Sequence, residues 1–488
     1  MKKHQLSKLF LYRYRFHIGY ALLSLAFLFL VFILPKISPG GLSESEMRST
    51  ITSYNLHFSS VTTGDLLDLP YHLLQKLSIL IFGFTTFAIK LPSILIASIL
   101  GLLFILLLNR WFKSNIALLA SILTVLSIPF LYLAGSGTPD IMIVFWPTFL
   151  LWLGSKIQGE EKPRSSFCFF FAFAMLLSVF TPHMIYLDVF ILIFVLFNPH
   201  LRFTIKTLPK LPFIAACFII LVGLGALTLN IFSNSSIALN LFFSENLDFS
   251  FYWHNISTAF LPFFSWGNNP EGVYLTPLIG LPTLFLAFTG LFSTVKGFFA
   301  SRNSISTYLL IFTIFISGFN PNSSLLTILP LSILVAHGLR YILEKWYGIF
   351  PENPYARIFG ILPISAFILI MIFSGLAHYI FGYRYTPSVA NEFNNDLELV
   401  ANLNEETTLL LNEDSLEYEF YYVYEDRTHA IDLTTTPPEI ITGKLATLGK
   451  YDFSTYSLEF KGTLKEIITS PKSNNSDRIY LYTAKSEE

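Results

Sequence analysis

Apolar residues recur between His17 and Phe381 in runs close to the about 20 that a helix needs to cross a hydrocarbon core. The runs fall near 17–35, 90–108, 116–133, 140–154, 167–181, 184–197, 211–232, 275–293, 305–319, 323–343 and 357–381, and predict about eleven membrane-spanning helices. A barrel strand would alternate apolar and polar positions, whereas these runs are continuous, and a helix satisfies its own backbone inside lipid. Thr181-Pro182-His183 makes the tightest of the predicted turns. The first run is long, and Lys36-Ile37-Ser38-Pro39 follows it where a cleaved leader would have small residues, so it is expected to stay in place. Past residue 382 the rhythm changes. Residues 389–403 predict an amphipathic helix, 407–411 a short strand, 415–424 a helix with an aromatic face, 430–433 and 479–483 two strands, and 470–477 an exposed loop.

The expected fold class is therefore an all-α polytopic membrane protein with a small C-terminal α/β domain. The division falls into a transmembrane part, 1–382, and a tail, 383–488. Two stretches of the first part are too long for connectors between packed helices. Residues 36–89 form a first outer loop with interfacial helices, although 73–87 also fits as a further span. Residues 233–274 crowd Phe, Trp and Tyr around Phe251-Tyr252-Trp253-His254 and Phe263-Phe264-Ser265-Trp266, which suits a lid over a lipid-facing entrance or an aromatic belt at the headgroups.

Composition agrees. Of 488 residues 53% are hydrophobic, 17% aromatic and only 13% charged, with a mean hydropathy of +0.58. This excludes a disordered chain, a coiled coil, a collagen-like chain and an ordinary soluble enzyme. The net charge of −1 conceals an asymmetry: the first 382 residues hold 22 basic and 13 acidic side chains, the tail 9 and 19. With the N-terminus inside, 18 of the 22 basic residues fall on the cytoplasmic side, leaving Lys36, Arg48, Lys76 and Lys90 outside. Eleven crossings then place the tail outside. The expected location is the plasma or cytoplasmic membrane.

Candidate chemistry lies at the outer helix ends, where nine of the 13 body acids fall: Glu44, Glu46, Asp65, Asp68, Asp140, Asp188, Glu245, Asp248 and Glu271. Ser43-Glu44-Ser45-Glu46 reads as a helix start, and its two acids diverge, so at most one enters a shared cavity. Asp140 follows Gly135-Ser136-Gly137-Thr138-Pro139. Each acid alone also fits a dipole-complementing role. Together they would flank a cavity where a carboxylate takes a proton from an acceptor hydroxyl, or orients a metal or a basic group; general-base work is worth roughly 10²–10⁴-fold. The cations available to a phosphate on that side are Lys90 and Lys76, with His72 nearby, though each lysine also fits as a residue snorkelling to the headgroups. Cys168 and Cys217 fall inside spans and suit apolar filling. Asn234, Asn255, Asn322 and Asn474 match the glycosylation sequon on the outer side. The tail shows no Gly-rich phosphate loop, zinc spacing or hydrolase elbow, so an accessory role is expected there.

Pro39-Gly40-Gly41-Leu42-Ser43-Glu44-Ser45-Glu46-Met47 resembles the first outer loop of the GT-C superfamily, in particular the dolichyl- or undecaprenyl-phosphate-sugar transferases related to protein O-mannosyltransferases and aminoarabinose lipid A transferases. Leu80-Ile81-Phe82-Gly83 through Phe87-Ala88-Ile89-Lys90-Leu91-Pro92-Ser93 is similar to that family's Phe-Gly…Phe-Ala-x-Arg-Leu-Pro-Ser signature, and Gly137-Thr138-Pro139-Asp140 to its second acidic site. The resemblance covers most of residues 17–345. It implies a GT-C-like bundle with an outer cavity, a polyprenyl-phosphate-linked sugar as donor, and a glycan, lipid or protein acceptor. No nucleic acid is expected. It implies direct, inverting transfer of a hexosyl or pentosyl group. Glu46 matches the Glu of the first acidic pair, Asp140 the second site and Lys90 the signature Arg. The catalytic candidates are Glu46, Glu44 and Asp140; the substrate-binding candidates are Lys90, Lys76, His72 and Asp68. A divalent metal is compatible with the acids, and the sequence implies no other cofactor.

The pattern has departures. Ser45 stands where the family carries its first-loop Asp, and a hydroxyl does not act as a carboxylate base at neutral pH. Asp68-Leu69-Pro70-Tyr71 falls where a basic residue is common. Three readings follow: a lipid-linked sugar transferase, a silent relative that binds a lipid-linked glycan or a partner enzyme, and a transporter or flippase, for which no internal repeat is visible.

Overall fold

Helices stand at each of the eleven positions that the apolar runs mark. The computed structural model describes residues 10–38, 40–56, 67–159, 165–233, 241, 251–264, 275–297, 300–319, 321–349, 354–390, 392–403, 407–436, 444–449, 462–469 and 478–484. In chain order the helices are α1 (Phe10–Ile37), α2 (Glu44–Asn55), α3 (Leu69–Phe82), α4 (Thr86–Trp111), α5 (Ser114–Val125), α6 (Ile128–Gly135), α7 (Ile141–Gly159), α8 (Ser165–Ser178), α9 (Met184–Phe197), α10 (Pro199–Lys206), α11 (Lys210–Ser233), α12 (Tyr252–Phe264), α13 (Leu281–Lys296), α14 (Ser301–Ser317), α15 (Ile328–Ile349) and α16 (Pro354–Tyr385). Most of 233–274, the acids Asp65, Glu245, Asp248 and Glu271, the sequons at Asn234 and Asn474, and the predicted loop 470–477 lie outside the described residues.

Among the described residues, five helices are long and apolar enough to cross a bilayer: Thr86–Trp111, Ile141–Gln158, Lys210–Leu229, Ser323–Gly348 and Leu362–Tyr385. Two further runs are bent. The run predicted at 116–133 breaks by 62° between α5 and α6, where Pro129 cannot supply an N–H to the continuing ladder. The run at 184–197 turns by 92° into α10, whose start is capped by Asn198 accepting from the His200 and Leu201 amides. Counting each bent pair as one span gives seven. α8, α13 and α14 are apolar but shorter. α13 and α15 cross backbone to backbone: a Cβ on Gly290 would stand 1.9 Å from the Leu334 carbonyl oxygen, and one on Gly338 2.1 Å from that of Leu286.

The tail differs from the expectation in two places. Residues 389–403 are not one helix but two short ones, α17 (Pro387–Ala390) and α18 (Asp396–Val400), because Asn394 between them is extended and pairs with Leu42 of the first loop. The sheet has five strands, β1 (Thr407–Leu410), β2 (Asp432–Thr434), β3 (Lys444–Leu448), β4 (Gly462–Thr469) and β5 (Arg478–Ala484), in the order β2-β1-β3-β5-β4. α19 (Leu416–Thr428) connects parallel β1 and β2; β3 is parallel to β1, and β5 is antiparallel to β3 and β4. β3 escaped the sequence reading because Leu445 to Leu448 are all buried and so do not alternate.

Two large cores result. One runs through the bundle, from Val31 and Phe104 to Leu329 and Tyr379. The other joins Leu42, Met47, Ile79, Phe84 and Ile89 of the first loop and its neighbours to Leu397, Leu409, Phe420, Tyr424 and Leu481 of the tail. The tail is thus packed onto α2 and α3 through one continuous apolar interior.

Candidate functional site

Four segments meet at one end of the bundle: residues 40–56, the start of α3, the start of α4 and residues 136–140. Each is placed by local sequence. Gly40 and Gly41 both have positive φ (81° and 29°) and turn the chain sharply after α1. Ser43 then starts α2 with a reciprocal capping box: its side chain accepts from the Glu46 amide, and Glu46 accepts from the Ser43 amide. Thr85 caps α4 by accepting from the Ala88 amide. Asp68, left-handed at φ 49°, precedes Leu69-Pro70 at the start of α3.

The two first-loop acids separate. Glu44 points to solvent, as does Ser45 beside it. Glu46 is fully buried, and its carboxylate is shared among three partners. Oε2 accepts from the Ser43 amide at 2.8 Å, Oε1 from the Gly137 amide at 2.6 Å, and Lys90 Nζ lies 3.5 Å from Oε1. Lys90 also donates to the Gly40 carbonyl at 2.9 Å, with the Phe393 ring 5.9 Å away. Glu46 therefore fastens the first loop to the Asp140 loop and neutralises Lys90.

Gln75, fully buried on α3, completes this joint. Its amide nitrogen donates to the Ile89 and Gly137 carbonyls at 3.0 and 2.9 Å, and its oxygen accepts from Ser49 and Ser53 at 2.9 and 2.6 Å. Gly137 is held on both sides, by Glu46 at its N–H and by Gln75 at its carbonyl. His72 Nδ1 lies 2.8 Å from Ser53 Oγ, and burial lowers this imidazole to about 4, which keeps it neutral. Lys76 donates to the Tyr54 and Leu56 carbonyls at the end of α2. Two of the expected donor ligands, His72 and Lys76, are thus used to hold α2 against α3.

Asp140 and Asp68 are different. Asp140 is half-buried, and Oδ2 accepts from Thr138 at 3.0 Å. Burial pushes its carboxyl upward, against that hydrogen bond. Asp68 accepts from Thr181, whose hydroxyl also takes the Trp146 indole N–H at 3.0 Å, while Asp68 Oδ1 is buried with no hydrogen-bond partner among the described residues. Burial first, and then the charge of Asp140, push Asp68 up to about 8. Tyr71, buried between Asp68, Asp140 and Glu46, bonds Ser93 at 2.8 Å, and Ser93 donates to the Thr138 carbonyl at 3.3 Å. Among the described residues no three His, Cys, Asp or Glu side chains converge as a metal cage. A hollow of about 480 Å³ opens beside Lys90, walled by Phe32, Pro35, Phe84 and Phe87 from the bundle side and Leu397 and Glu398 from the tail.

Residues 70–225 match the family model for dolichyl-phosphate-mannose-protein mannosyltransferases. The structure superposes on ArnT from Cupriavidus metallidurans in the apo state with a TM-score of 0.52 and 12% identity, over 96% of this chain and 98% of that one. The fold is that of the GT-C superfamily. ArnT from the same organism bound to undecaprenyl phosphate gives 0.49 at 12% identity, over 96% and 98% of the two chains. The Archaeoglobus fulgidus oligosaccharyltransferase tethered with an acceptor peptide gives 0.48 at 12%, over 95% and 74%. No curated protein matches the chain.

The family match takes in α3, α4, Lys90 and Asp140, and begins after the first acidic loop. Within this GT-C frame the sequence singled out Glu46, Asp140 and Lys90 but passed over Gln75, Tyr71 and Asn394-Asn395. Gln75 offered one signal, a polar side chain inside the apolar stretch 73–87. Asn394 and Asn395 offered none, since their partners lie some 350 residues earlier.

Proposed function

We propose that the chain moves a sugar from a polyprenyl-phosphate-linked donor to an acceptor at the outer face of the membrane, with the N-terminus inside and the tail outside. The arrangement that supports this is the meeting of the first loop with the Asp140 loop, through Glu46 and Gly137, beside a half-buried carboxylate that no cation neutralises in the described contacts. Asp140 accepts the proton of the acceptor hydroxyl as that oxygen attacks the anomeric carbon. The bond to the polyprenyl phosphate breaks, the phosphate leaves with the electron pair, and the configuration inverts. Glu46 fixes the distance between the two loops and touches neither reactant. The sign of the pH effect follows: burial raises Asp140, so the base form gains as pH rises. Purified protein in lipid vesicles with a polyprenyl-phosphate-sugar donor tests this. Asp140→Asn should cut turnover by roughly 10²–10⁴-fold; turnover within a factor of three of wild type removes Asp140 from the chemistry.

Ser45 favours a second reading. The position that the resemblance assigns to an acid holds Ser45, whose hydroxyl pairs with Ser43 Oγ at 2.9 Å, and its neighbour Glu46 is committed to structure. A silent relative would bind a polyprenyl phosphate but not turn over. Saturable binding without transfer, across several donors, would select that reading.

A further inference from the structure

Residues 40–43 are gripped one after another, and two of the grips come from the tail. The Gly40 carbonyl accepts from Lys90, and the Ser43 amide donates to Glu46. Between them, Leu42 and Asn394 exchange backbone hydrogen bonds at 2.7 and 2.9 Å, and the Gly41 amide donates to Asn395 Oδ1 at 3.0 Å. Asn395 is the residue before α18, where an Asn side chain ordinarily caps the helix it precedes. Here it makes no cap bond; its oxygen serves Gly41 instead. Asn394 and Asn395 are both about 95% buried, so neither is a surface accident. Gly41 admits no side chain: a Cβ there would stand 2.0 Å from the Asn394 carbonyl oxygen. Around this clamp Phe84 packs edge-on against Phe420 and Tyr424, and Tyr54 donates to Asp426.

We infer that Asn394 and Asn395 are positioning residues: the tail sets the register of the acidic loop, and hence the place of Ser43–Glu46 against Gly137, during turnover. The inference rests on the proposed transfer for its catalytic consequence, but not for the clamp itself. The physical reason is leverage. Gly40 and Gly41 are the most permissive backbone in the loop, and without an external hold they would let the capping box drift as a unit. A misplacement of about 1 Å is worth roughly a hundredfold in rate. The tail thereby gains control of the site without contributing a reacting group, and anything that binds or displaces the tail would change turnover.

The test pairs amide exchange with kinetics on the full chain in lipid vesicles. Asn395→Ala should raise exchange at Gly41 and Leu42 and lower kcat by about 10- to 100-fold, with KM for the donor within about twofold. A cross-link then supplies the rescue. Leu42 and Asn394 face each other as a hydrogen-bonded antiparallel pair, whose typical Cα separation of about 5.5 Å suits a disulfide. In L42C/N394C/N395A, oxidation should restore slow exchange and most of the turnover that the reduced form lacks. Unchanged exchange in Asn395→Ala overturns the clamp. Raised exchange with an unchanged kcat overturns its role in positioning, as does a loss that appears in KM alone. If the wild-type chain transfers no sugar, the proposed activity falls separately, and the exchange results with and without the cross-link still decide the clamp.

Discussion

Replacing Glu46 separates a structural carboxylate from a catalytic one. Glu46→Ala removes the acceptor for the Ser43 and Gly137 amides and takes from Lys90, 2% exposed, the carboxylate 3.5 Å away. Removing one member of a buried ion pair costs about 3–5 kcal/mol, because the survivor stays in low dielectric. Loss of the capping box adds about 1 kcal/mol. The terms overlap through shared atoms, so about 4 kcal/mol is the working figure. Part is recoverable. Lys90→Met in the Glu46→Gln background removes the stranded charge and leaves a neutral joint of similar volume, and should regain more than half of the loss. The assay is thermal unfolding in detergent alongside transfer in vesicles, with every variant at one scan rate because such chains unfold irreversibly. Glu46→Ala should lower the apparent Tm by more than about 5 °C and reduce transfer in proportion to folded protein. A Glu46→Ala variant with wild-type Tm and transfer reduced by more than about a thousandfold would refute the reasoning and return Glu46 to the reaction.

Three further outcomes follow from the same geometry. Asp68 is raised to about 8, so the folded state holds a proton that the unfolded chain releases near pH 4; stability is highest below that pH and is lost as pH climbs towards 8, and Asp68→Asn should flatten apparent Tm between pH 5 and 9. An equally steep profile in the variant would show that Asp68 is not the group involved. Gln75→Leu leaves the Ile89 and Gly137 carbonyls buried without their donor and should cost about 2–3 kcal/mol, read as a lower apparent Tm; a neutral result would mean that water replaces the amide. Phe84→Ala removes the ring seated between Phe420 and Tyr424 and should cost about 3–5 kcal/mol, read as faster proteolytic release of the tail; an unchanged cleavage rate would mean that the tail holds on by other contacts.

The helices were legible because apolar runs of membrane length have few alternatives. The bends were less so. Pro129 and Pro199 mark the two breaks, yet Pro92, Pro147 and Pro363 sit inside helices that continue, so a proline alone does not tell a kink from a stop. In the tail, α19 and β1 matched their local patterns, whereas β3 and β4 did not. The one is buried throughout and the other largely exposed, and neither alternates. Of the site, Glu46, Lys90 and Asp140 were visible as charges near helix ends. Their division of labour was not. Whether a carboxylate meets a lysine, an amide or open space depends on residues brought together from positions 46, 90 and 137, and no local window contains that information.

This division of labour has a physical logic. A helix end facing an apolar interior carries amides and carbonyls that need partners, and a first loop folded back on the bundle multiplies them. Glu46, Gln75, Lys76 and Lys90 meet that need: between them they bond the backbone of Gly40, Ser43, Tyr54, Leu56, Ile89 and Gly137. Each is polar enough to look functional in sequence, and each is bonded to backbone that the fold has to satisfy. Asp140 accepts one hydroxyl, and Asp68 keeps a buried oxygen unbonded. A side chain with every hydrogen-bonding position filled cannot take up a reactant's proton or charge without first breaking the fold around it, whereas one with a free lone pair can. The proposed transfer therefore gives the proton to Asp140, whose carboxylate accepts a single hydroxyl, and leaves Glu46 to hold the two loops together.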